Sequence, residues 1–194
     1  AGAAWLFKIF NPKSFLILTL QEGKDLDKQS LLKKFARRLL IRKADEITAI
    51  SNYLKNYAVG QGAKKISVIP NGALLEPYSG EKKQENMKTI VTVSRLVPKN
   101  GVDILIKAFH ILRAKYNMAD LKLLVVGSGF EEDSLKNLSK NLNLADTVNF
   151  IGNIPNERVR NYLAKADLFV RPSRSEGLGN AFLEAMAAGV AVIG

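Results

Sequence analysis

The fold class is indicated most clearly by residues 89–129, TIVTVSRLVPKNGVDILIKAFHILRAKYNMADLKLLVVGSG. This stretch begins with an apolar run of strand length (89–93) and continues through a polar loop into a stretch with helical periodicity (102–116). A second apolar run (121–126) then ends at a glycine turn. Neither run alternates with polar residues, which is typical of strands covered on both faces of a sheet. This order predicts a strand–helix–strand unit with parallel strands.

The same alternation continues to the last residue. Further strands are predicted at 148–151, 167–170 and 190–193, and further helices at 131–142, 157–165 and 179–188. The fold class is therefore α/β, with a doubly wound parallel sheet. Ligands of such sheets bind beyond the carboxyl ends of the strands, so the loops that follow the strands are the candidate site.

The first part of the chain is separated from this pattern by the turn Pro70-Asn71-Gly72 and a charged segment with proline and glycine (74–85). Strands are predicted in it at 14–20, 46–50 and 66–69, and helices at 30–42 and 53–59. The predicted domains are residues 1–76, a remnant of an N-terminal domain, a linker at 77–86, and residues 87–194, an incomplete C-terminal domain.

The composition of the 194 residues excludes several kinds of site. There is no cysteine, which excludes disulfides, cysteine-bound zinc, iron–sulfur clusters and thiol nucleophiles. The one histidine, His110, lies in a predicted helix and is expected to be structural. No run reaches the roughly 20 apolar residues of a membrane-spanning helix. The initial Ala1 and the apolar end at 190–193 lead us to expect a piece of a longer protein, truncated at both ends.

The loop after the first strand of the C-terminal domain has the features of an anion site. Arg95 and Lys99 precede a helix, whose first N–H groups carry partial positive charge. Together they would suit a phosphate group. The plainer interpretation is that both are solvated loop charges. Asn100 is predicted to cap the helix, with Asp103 three residues later.

The next two loops are glycine-containing turns. Gly127 and Gly129 follow the second strand, but Glu132 stands where a dinucleotide fingerprint needs a third glycine. We therefore expect a glycine turn that a ligand approaches closely, and no NAD site. The loop at 152–155 after the third strand either lines a base pocket through its backbone or is only a turn.

The loop after the fourth strand, RPSRSEGLGNAFLE (171–184), carries the densest set of candidate residues. Its glycines allow backbone N–H groups to approach a phosphate. Glu184 lies among apolar residues, so its carboxylate should have partners. Sugar hydroxyls are suitable partners, because a carboxylate can accept two of them. The alternative is a structural carboxylate bonded to the backbone, to Arg171 or to Arg174.

These residues resemble a known family. Residues 176–184 have the Glu-x7-Glu spacing of GT-B glycosyltransferases, and the flanks 172–175 and 185–189 resemble the retaining family 4. Further segments similar to that family are 44–51, 69–72 and 93–109. The resemblance covers about residues 14 to 194.

The resemblance implies two facing Rossmann-like domains with a nucleotide-sugar donor between them. It implies that Arg95 and Lys99 stabilise the diphosphate and that Glu176 contacts the donor sugar, and these three are the expected catalytic residues. The donor-binding residues that it implies are Gly127, Ile154, Gly177, Leu178, Gly179, Asn180 and Glu184. Among them, Glu184 would bind the ribose hydroxyls and Ile154 would lie beside the base. No cofactor or metal is expected.

Three positions depart from the family pattern. The family usually has Lys where this sequence has Asn100, so it stays open whether Lys99, one residue earlier, takes that role. Ser94 replaces a usual glycine. Many members have a histidine where this chain has Gln21-Glu22-Gly23, so the acceptor-side base is open.

The expected function is transfer of a hexosyl-type sugar from a nucleotide-diphosphate-sugar to a glycan or lipid-linked acceptor, with retention of anomeric configuration, in polysaccharide biosynthesis. The chain alone is expected to be inactive, because strands of both domains are missing. Three alternatives stay open: a non-catalytic nucleotide- or sugar-binding module, another GT-B enzyme such as a nucleotide-sugar 2-epimerase, and a basic nucleic-acid-binding protein. Against the last, the aromatic residues are not interleaved with the cations in a stacking pattern.

The excess positive charge lies mostly near the start of the chain. Residues 1–43 contain ten Lys or Arg against three Asp or Glu, within a net charge of +11. The helix at 30–42 carries Lys33, Lys34, Arg37 and Arg38 beside a leucine face. One interpretation is a core helix with a solvated basic side, and the other is contact with an anionic membrane. The expected location is cytoplasmic, at the inner face of the membrane in the second case.

Overall fold

The computed structural model describes residues 2–21, 30–73, 87–176 and 179–194. These residues form two compact units, the first made of residues 2–71 with 175–176 and the second of residues 72–174 with 179–194. The linker predicted at 77–86 lies outside the described residues.

The first unit is a parallel three-stranded sheet with three helices. The helices are Gly2–Phe10 (α1), Leu31–Lys43 (α2) and Asn52–Gly60 (α3), and the strands are Ile17–Leu20 (β1), Glu46–Ala49 (β2) and Ile66–Val68 (β3). The strand order is β1-β2-β3, with β2 in the centre. Ser51 begins α3 by accepting a hydrogen bond from the Leu54 N–H, as a serine cap does. Ile41, Ile47 and Leu54 are fully buried and form the core.

The sequence predicted the strands of this unit and α2 and α3, but not α1. An apolar run of this length fits either a strand or a buried helix, so periodicity alone does not identify it. The leucine face of α2 is divided between a buried and an exposed part. Its last part is buried through Leu40 and Ile41, whereas Leu31, Leu32 and Phe35 are exposed.

The second unit is a five-stranded parallel sheet with helices on both faces. Its strands are Lys88–Val93 (β4), Leu121–Val126 (β5), Val148–Gly152 (β6), Leu168–Val170 (β7) and Ala191–Ile193 (β8). Its helices are Val102–Lys115 (α4), Glu132–Asn141 (α5), Asn156–Ala164 (α6) and Asn180–Ala187 (α7). The doubly wound parallel sheet predicted from the sequence is confirmed, since the strand order is β6-β5-β4-β7-β8.

Two apolar clusters hold the helices on the sheet. On one face, Phe109 of α4 and Leu135 of α5 pack with Leu123 of β5. On the other face, Leu163 of α6 and Ala185 of α7 pack with the fully buried Phe169 of β7. The strands are therefore covered on both sides, as their unbroken apolar sequences predict.

The strand order places a switch point at β4. The chain runs from β4 outward through β5 to β6, then returns to place β7 on the opposite side of β4. The loops after β4 and β7 therefore leave the same edge of the sheet side by side. After β4 the chain continues to one side of the sheet, and after β7 it continues to the other. A crevice between such loops is where parallel α/β sheets bind ligands.

Candidate functional site

The loops after β4 and β7 are joined backbone to backbone. The Arg174 N–H donates to the Lys99 carbonyl oxygen at 2.7 Å. Gly101 begins α4 with φ +68°, and a Cβ at this position would lie 2.0 Å from the Pro172 carbonyl oxygen. Only a residue without a side chain fits this approach and this backbone conformation. The two loops thus form one packed edge.

The buried side chain of Asn100 connects the loops after β4 and β7. It lies in a short 3-10 turn, Pro98–Asn100, and is 1% exposed. Its Nδ2 donates to the Arg95 carbonyl oxygen at 2.6 Å, and its Oδ1 accepts from Arg171 Nη2 at 3.1 Å. The prediction that Asn100 caps α4 is wrong: Gly101 stands at the cap position, and the Asn100 amide is used between the two loops. A buried amide needs such partners because an unpaired one is costly.

An ion pair closes the outer side of the edge. Arg174 Nη2 donates to Asp103 Oδ2 at 2.8 Å, and Nη1 of the same guanidinium donates to the Pro98 carbonyl oxygen. The hydrogen bond from Arg174 is the main reason that the pKa of Asp103 lies below its ordinary value. Asp103 lies in the first turn of α4, where a negative charge is also favoured by the helix dipole.

The loop after β5 packs against the loop after β4. The Gly127 N–H donates to the Gly152 carbonyl oxygen at 2.8 Å. A Cβ at Gly127 would lie 2.0 Å from the Ser94 carbonyl oxygen, and one at Gly129 would lie 2.3 Å from that of Leu96. The packing of the loops within this unit therefore requires a glycine at both positions. The donor-binding role expected for Gly127 stays a prediction.

The two predicted cations of the β4 loop are available to an anion. Arg95 is exposed and Lys99 is half-buried. Within the described residues, neither side chain has an ion-pair partner. Their loop is fixed by the backbone bonds to the β5 and β7 loops, so the two charges are held at the switch point by rigid backbone.

The structure describes some, but not all, of the predicted site residues in the loop after β7. Glu176 is exposed and lies in the first unit. Gly177 and Leu178 lie outside the described residues. Gly179 is buried directly before α7, and Asn180 is exposed as its first residue.

Ile154 follows β6, and its side chain belongs to the apolar packing of the unit. It is half-buried against the core cluster that includes residues of α6 and α7. The side chain therefore has a packing role, and a contact with a base would have to use the backbone of the loop. The position beside the base that the resemblance implies stays a prediction.

A groove of about 440 Å³ lies between α6 and α7. Glu184 of α7 lines it together with Asn156 and Arg160 of α6, and Gly72 and Ala73 also border it. In the described part of the chain, the Glu184 carboxylate has no hydrogen-bond or ion-pair partner. The groove thus offers an unpaired carboxylate acceptor, which can take two hydroxyl donors.

The groove and the cations are separate parts of the second unit. Arg95, Lys99 and Ile154 do not line the groove. Arg174, which the sequence offered as a partner for Glu184, pairs with Asp103 instead. The alternative in which the Glu184 carboxylate is bonded to Arg174 is therefore wrong.

The sequence did not identify the contact between Arg171 and Asn100. These residues are 71 positions apart, and their contact depends on β7 pairing beside β4. The one signal in the sequence was that an arginine, Arg171, directly follows an apolar strand. This position places Arg171 at the carboxyl edge of the sheet, but it does not indicate that Asn100 is its partner.

Two features are absent from the described ranges. No three His, Asp or Glu side chains there lie close enough together to hold a metal ion. That no metal takes part stays a prediction. None of the helices described is long and apolar enough to cross a bilayer.

The fold is shared with solved GT-B structures. The structure of Anabaena Alr3699/HepE in complex with UDP and glucose matches with a TM-score of 0.83 at 24% identity, covering 98% of this chain and 56% of that one. A mutant of TarM from S. aureus, crystallised with UDP among its ligands, matches with a TM-score of 0.77 at 21% identity, covering 95% and 38%. These likenesses identify the GT-B fold.

Residues 79–194 match the group 1 glycosyl transferases, and the chain belongs to this family. An uncharacterized glycosyltransferase of Haemophilus influenzae is 34% identical over 164 residues, which are 84% of this chain and 45% of that protein. The GDP-mannose-dependent alpha-(1-6)-phosphatidylinositol monomannoside mannosyltransferase of Mycobacterium tuberculosis is 39% identical over 112 residues, covering 54% and 29%. The chain therefore spans less than half the length of these relatives.

Proposed function

We propose that this chain is part of a retaining, family 4 glycosyltransferase and that its second unit binds the nucleotide-diphosphate-sugar donor. The observation that carries the proposal is the pair of cations at the switch point. Arg95 and Lys99 have no ion-pair partner among the described residues, yet their loop is pinned by backbone hydrogen bonds. A rigid, uncompensated positive site is suited to a diphosphate.

The chemistry of sugar transfer explains why fixed cations matter. As the bond from the sugar to the diphosphate breaks, negative charge develops on the departing diphosphate. Charges already in place stabilise this charge without reorganisation, and losing one such group costs about 2–4 kcal/mol of barrier. In the proposal, Arg95 and Lys99 supply this stabilisation with no metal ion, and Glu176 contacts the donor sugar.

The remaining donor contacts are proposed in the loops after β5, β6 and β7 and in α7. Gly177, Leu178, Gly179 and Asn180 would offer backbone N–H groups to phosphate and sugar. Glu184 would bind the ribose hydroxyls, a role favoured by its unpaired carboxylate in the groove between α6 and α7. The base would lie beside the backbone of Ile154 and Gly127.

The acceptor is proposed to be a glycan or a lipid-linked glycan, as in polysaccharide biosynthesis, with a cytoplasmic protein at the inner membrane face. The Mycobacterium relative is named for a phosphatidylinositol mannoside, and a Campylobacter jejuni relative, 32% identical over 173 residues, for a diphospho-undecaprenol. α2 supports this through exposed apolar side chains, Leu31, Leu32 and Phe35, beside Lys33 and Lys34. These features suit an anionic lipid surface.

Calorimetric titration of the chain with UDP, GDP and ADP tests the donor site. One of the three is expected to bind, and Glu184→Ala is expected to weaken it about tenfold, since each 1.4 kcal/mol is a factor of ten. Asp146→Ala, which removes an exposed carboxylate elsewhere in the second unit, is the matched control and should leave binding unchanged. A folded chain that binds none of the three would contradict the proposal.

Other assays, taken together with this titration, separate the alternative functions. A non-catalytic module would bind the nucleotide, but the whole protein would release no sugar from the matching nucleotide-sugar. A 2-epimerase would yield a free epimerised sugar, and a nucleic-acid-binding protein would be retained on DNA in a salt-dependent way with no response to nucleotides.

A further inference from the structure

Position 100 carries a buried amide where the family usually has a lysine. Asn100 is 1% exposed, and both ends of its amide have partners in the loops after β4 and β7. An ammonium group enclosed in the same way would lose its hydration, which is costly without a compensating partner. In this chain, the side chain at position 100 therefore serves the interior of the packed edge and presents no charge to a ligand.

The peptide group that follows Arg95 is held from both ends. Its N–H, which belongs to Leu96, donates to the Ser128 carbonyl oxygen at 2.9 Å. Its carbonyl oxygen accepts from Asn100 Nδ2 at 2.6 Å and from the Val97 N–H at 2.9 Å. Because a peptide group is planar, these bonds fix the backbone from which the Arg95 side chain starts. The Asn100 bond is the one of the three that a side chain makes, so a substitution can remove it alone.

The Arg95 side chain is available to a ligand. It is exposed, and it has no ion-pair or hydrogen-bond partner in the described part of the chain. Binding an anion with a long side chain costs conformational entropy, and a backbone that is already fixed reduces this cost. The bond from Asn100 to the Arg95 carbonyl therefore prepares Arg95 for binding without touching the ligand.

Lys99 is placed differently from Asn100, although both lie in the 3-10 turn Pro98–Asn100. Such a turn has three residues per turn, so neighbouring side chains leave it about 120° apart. With Asn100 directed inward, the half-buried Lys99 side chain is directed away from it. The Lys99 backbone is fixed independently of Asn100, because the Lys99 carbonyl oxygen accepts from the Arg174 N–H at 2.7 Å.

We propose that Asn100 is a positioning residue of the donor diphosphate site, acting through Arg95, and that Lys99 supplies the lysine charge of this loop in place of position 100. This inference rests on the proposed function. Two tasks are thereby divided between neighbouring residues: the buried amide fixes the backbone of Arg95, and the ammonium group of Lys99 meets the phosphate.

Displacement of the best-binding nucleotide of UDP, GDP and ADP by inorganic pyrophosphate measures the phosphate contact. Arg95→Gln is expected to weaken pyrophosphate about tenfold or more, the usual effect of losing a charged hydrogen bond. Asn100→Ala is expected to weaken it about two- to tenfold, as for a neutral hydrogen bond. The double variant should bind pyrophosphate as Arg95→Gln does, because a residue that acts through another does not add to it. Arg158→Gln, which removes an exposed arginine of the same unit, should change nothing.

A merely structural role of Asn100 predicts a different pattern. Gly189→Ala is the comparison, because its positive φ of +74° strains alanine while nothing lies within 4 Å of the Cβ position. It should lower the unfolding free energy of the same unit and leave the pyrophosphate affinity of the folded chain unchanged. Wild-type pyrophosphate affinity in folded Asn100→Ala overturns the positioning role. So does a double variant that is weaker than Arg95→Gln by the full factor of Asn100→Ala.

Asn100→Leu provides a decision if Asn100→Ala does not fold. Leucine has nearly the shape of asparagine but no hydrogen-bonding atoms, so it fills the buried space without holding the Arg95 carbonyl. Its pyrophosphate affinity is expected to fall as in Asn100→Ala, and wild-type affinity would overturn the positioning role in the same way.

Lys99→Gln and Asn100→Lys test which position carries the charge. Lys99→Gln is expected to weaken pyrophosphate about tenfold. Asn100→Lys adds a positive charge but removes the bond to the Arg95 carbonyl, so it should bind pyrophosphate no more tightly than wild type. Wild-type affinity in Lys99→Gln, or tighter binding by Asn100→Lys, would contradict the assignment. If Asn100→Lys does not fold, Lys99→Gln decides alone.

Failure of this inference is distinguishable from failure of the proposed function. If Glu184→Ala still weakens the nucleotide while Asn100→Ala leaves pyrophosphate unchanged, the donor site stands without the positioning role. If wild type binds no nucleotide, both fail.

Discussion

At the scale of single residues, the site depends on backbone approaches that only glycine permits. Gly101, Gly127 and Gly129 each face a carbonyl oxygen of a neighbouring loop across a distance too short for a Cβ. These contacts bring loops from three strands together. These three glycines therefore serve loop packing first, and any ligand contact comes in addition.

Replacing Gly101 tests this packing. Gly101→Ala is expected to destabilise the chain by well over about 1 kcal/mol, because a positive φ disfavours alanine and the new Cβ would press on the Pro172 carbonyl. Gly152→Ala is the matched control: Gly152 also has a positive φ, +77°, but nothing lies within 4 Å of its Cβ position. Urea unfolding should show a clearly larger loss for Gly101→Ala. Equal losses of unfolding free energy in the two variants would mean that the strain of a positive φ, and not the contact with the Pro172 carbonyl, causes the destabilisation.

The Asp103–Arg174 pair predicts a pH dependence. The Arg174 hydrogen bond lowers the pKa of Asp103 in the folded chain, so the unfolded chain binds the proton more readily. The pair therefore stabilises the fold above the ordinary aspartate pKa of about 3.9, and this contribution is lost as the pH falls through the lowered value. Asp103→Asn should reduce the melting temperature slightly at pH 7, and this reduction should shrink as the pH falls below about 3.9. A difference that persists at the lower pH would show that the carboxylate charge is not the cause.

At the scale of elements, the strands and helices of the second unit follow from the sequence, because each apolar run is unbroken and bounded by loop residues. β5 was predicted with its observed bounds, Leu121–Val126, and α4 to within one residue. The 3-10 turn at Pro98–Asn100 was not predicted. It is held by hydrogen bonds from the Arg171 side chain to Asn100 and from Arg174 to the carbonyl oxygens of Pro98 and Lys99, which are remote in sequence, so local propensity could not reveal it.

The exposed apolar side chains of α2 predict membrane binding. With Leu31 at 85% and Leu32 at 78% exposure beside a row of cations, the chain should bind vesicles that contain phosphatidylglycerol and not vesicles of phosphatidylcholine alone. Lys33→Glu with Lys34→Glu should weaken this binding strongly, since each cation contributes about 1 kcal/mol. The control is Lys64→Glu with Lys65→Glu, an adjacent pair of exposed lysines elsewhere in the first unit. Equal binding by both double variants, or binding to neutral vesicles, would contradict the prediction.

At the scale of the whole molecule, the sequence predicted the doubly wound sheet and the edge at which the candidate residues lie. It also placed Arg95, Lys99 and Glu184 as candidates, and none of the three side chains has an ion-pair partner among the described residues. It could not predict the Asn100–Arg171 contact, which exists only once β7 has paired with β4. Pattern and spacing thus predict the strands and the edge, whereas the contacts across the edge require the tertiary structure.

We propose above that a nucleoside diphosphate binds at the switch point of the second unit. Amide hydrogen exchange, read peptide by peptide with UDP, GDP or ADP at saturating concentration, is the decisive test. We expect slower exchange in residues 94–101 and 179–187 with the nucleotide that binds. Little change is expected in residues 136–142, the second half of α5, which packs on the sheet face opposite to α7. No change with any of the three nucleotides, or slowing confined to 136–142, would contradict it.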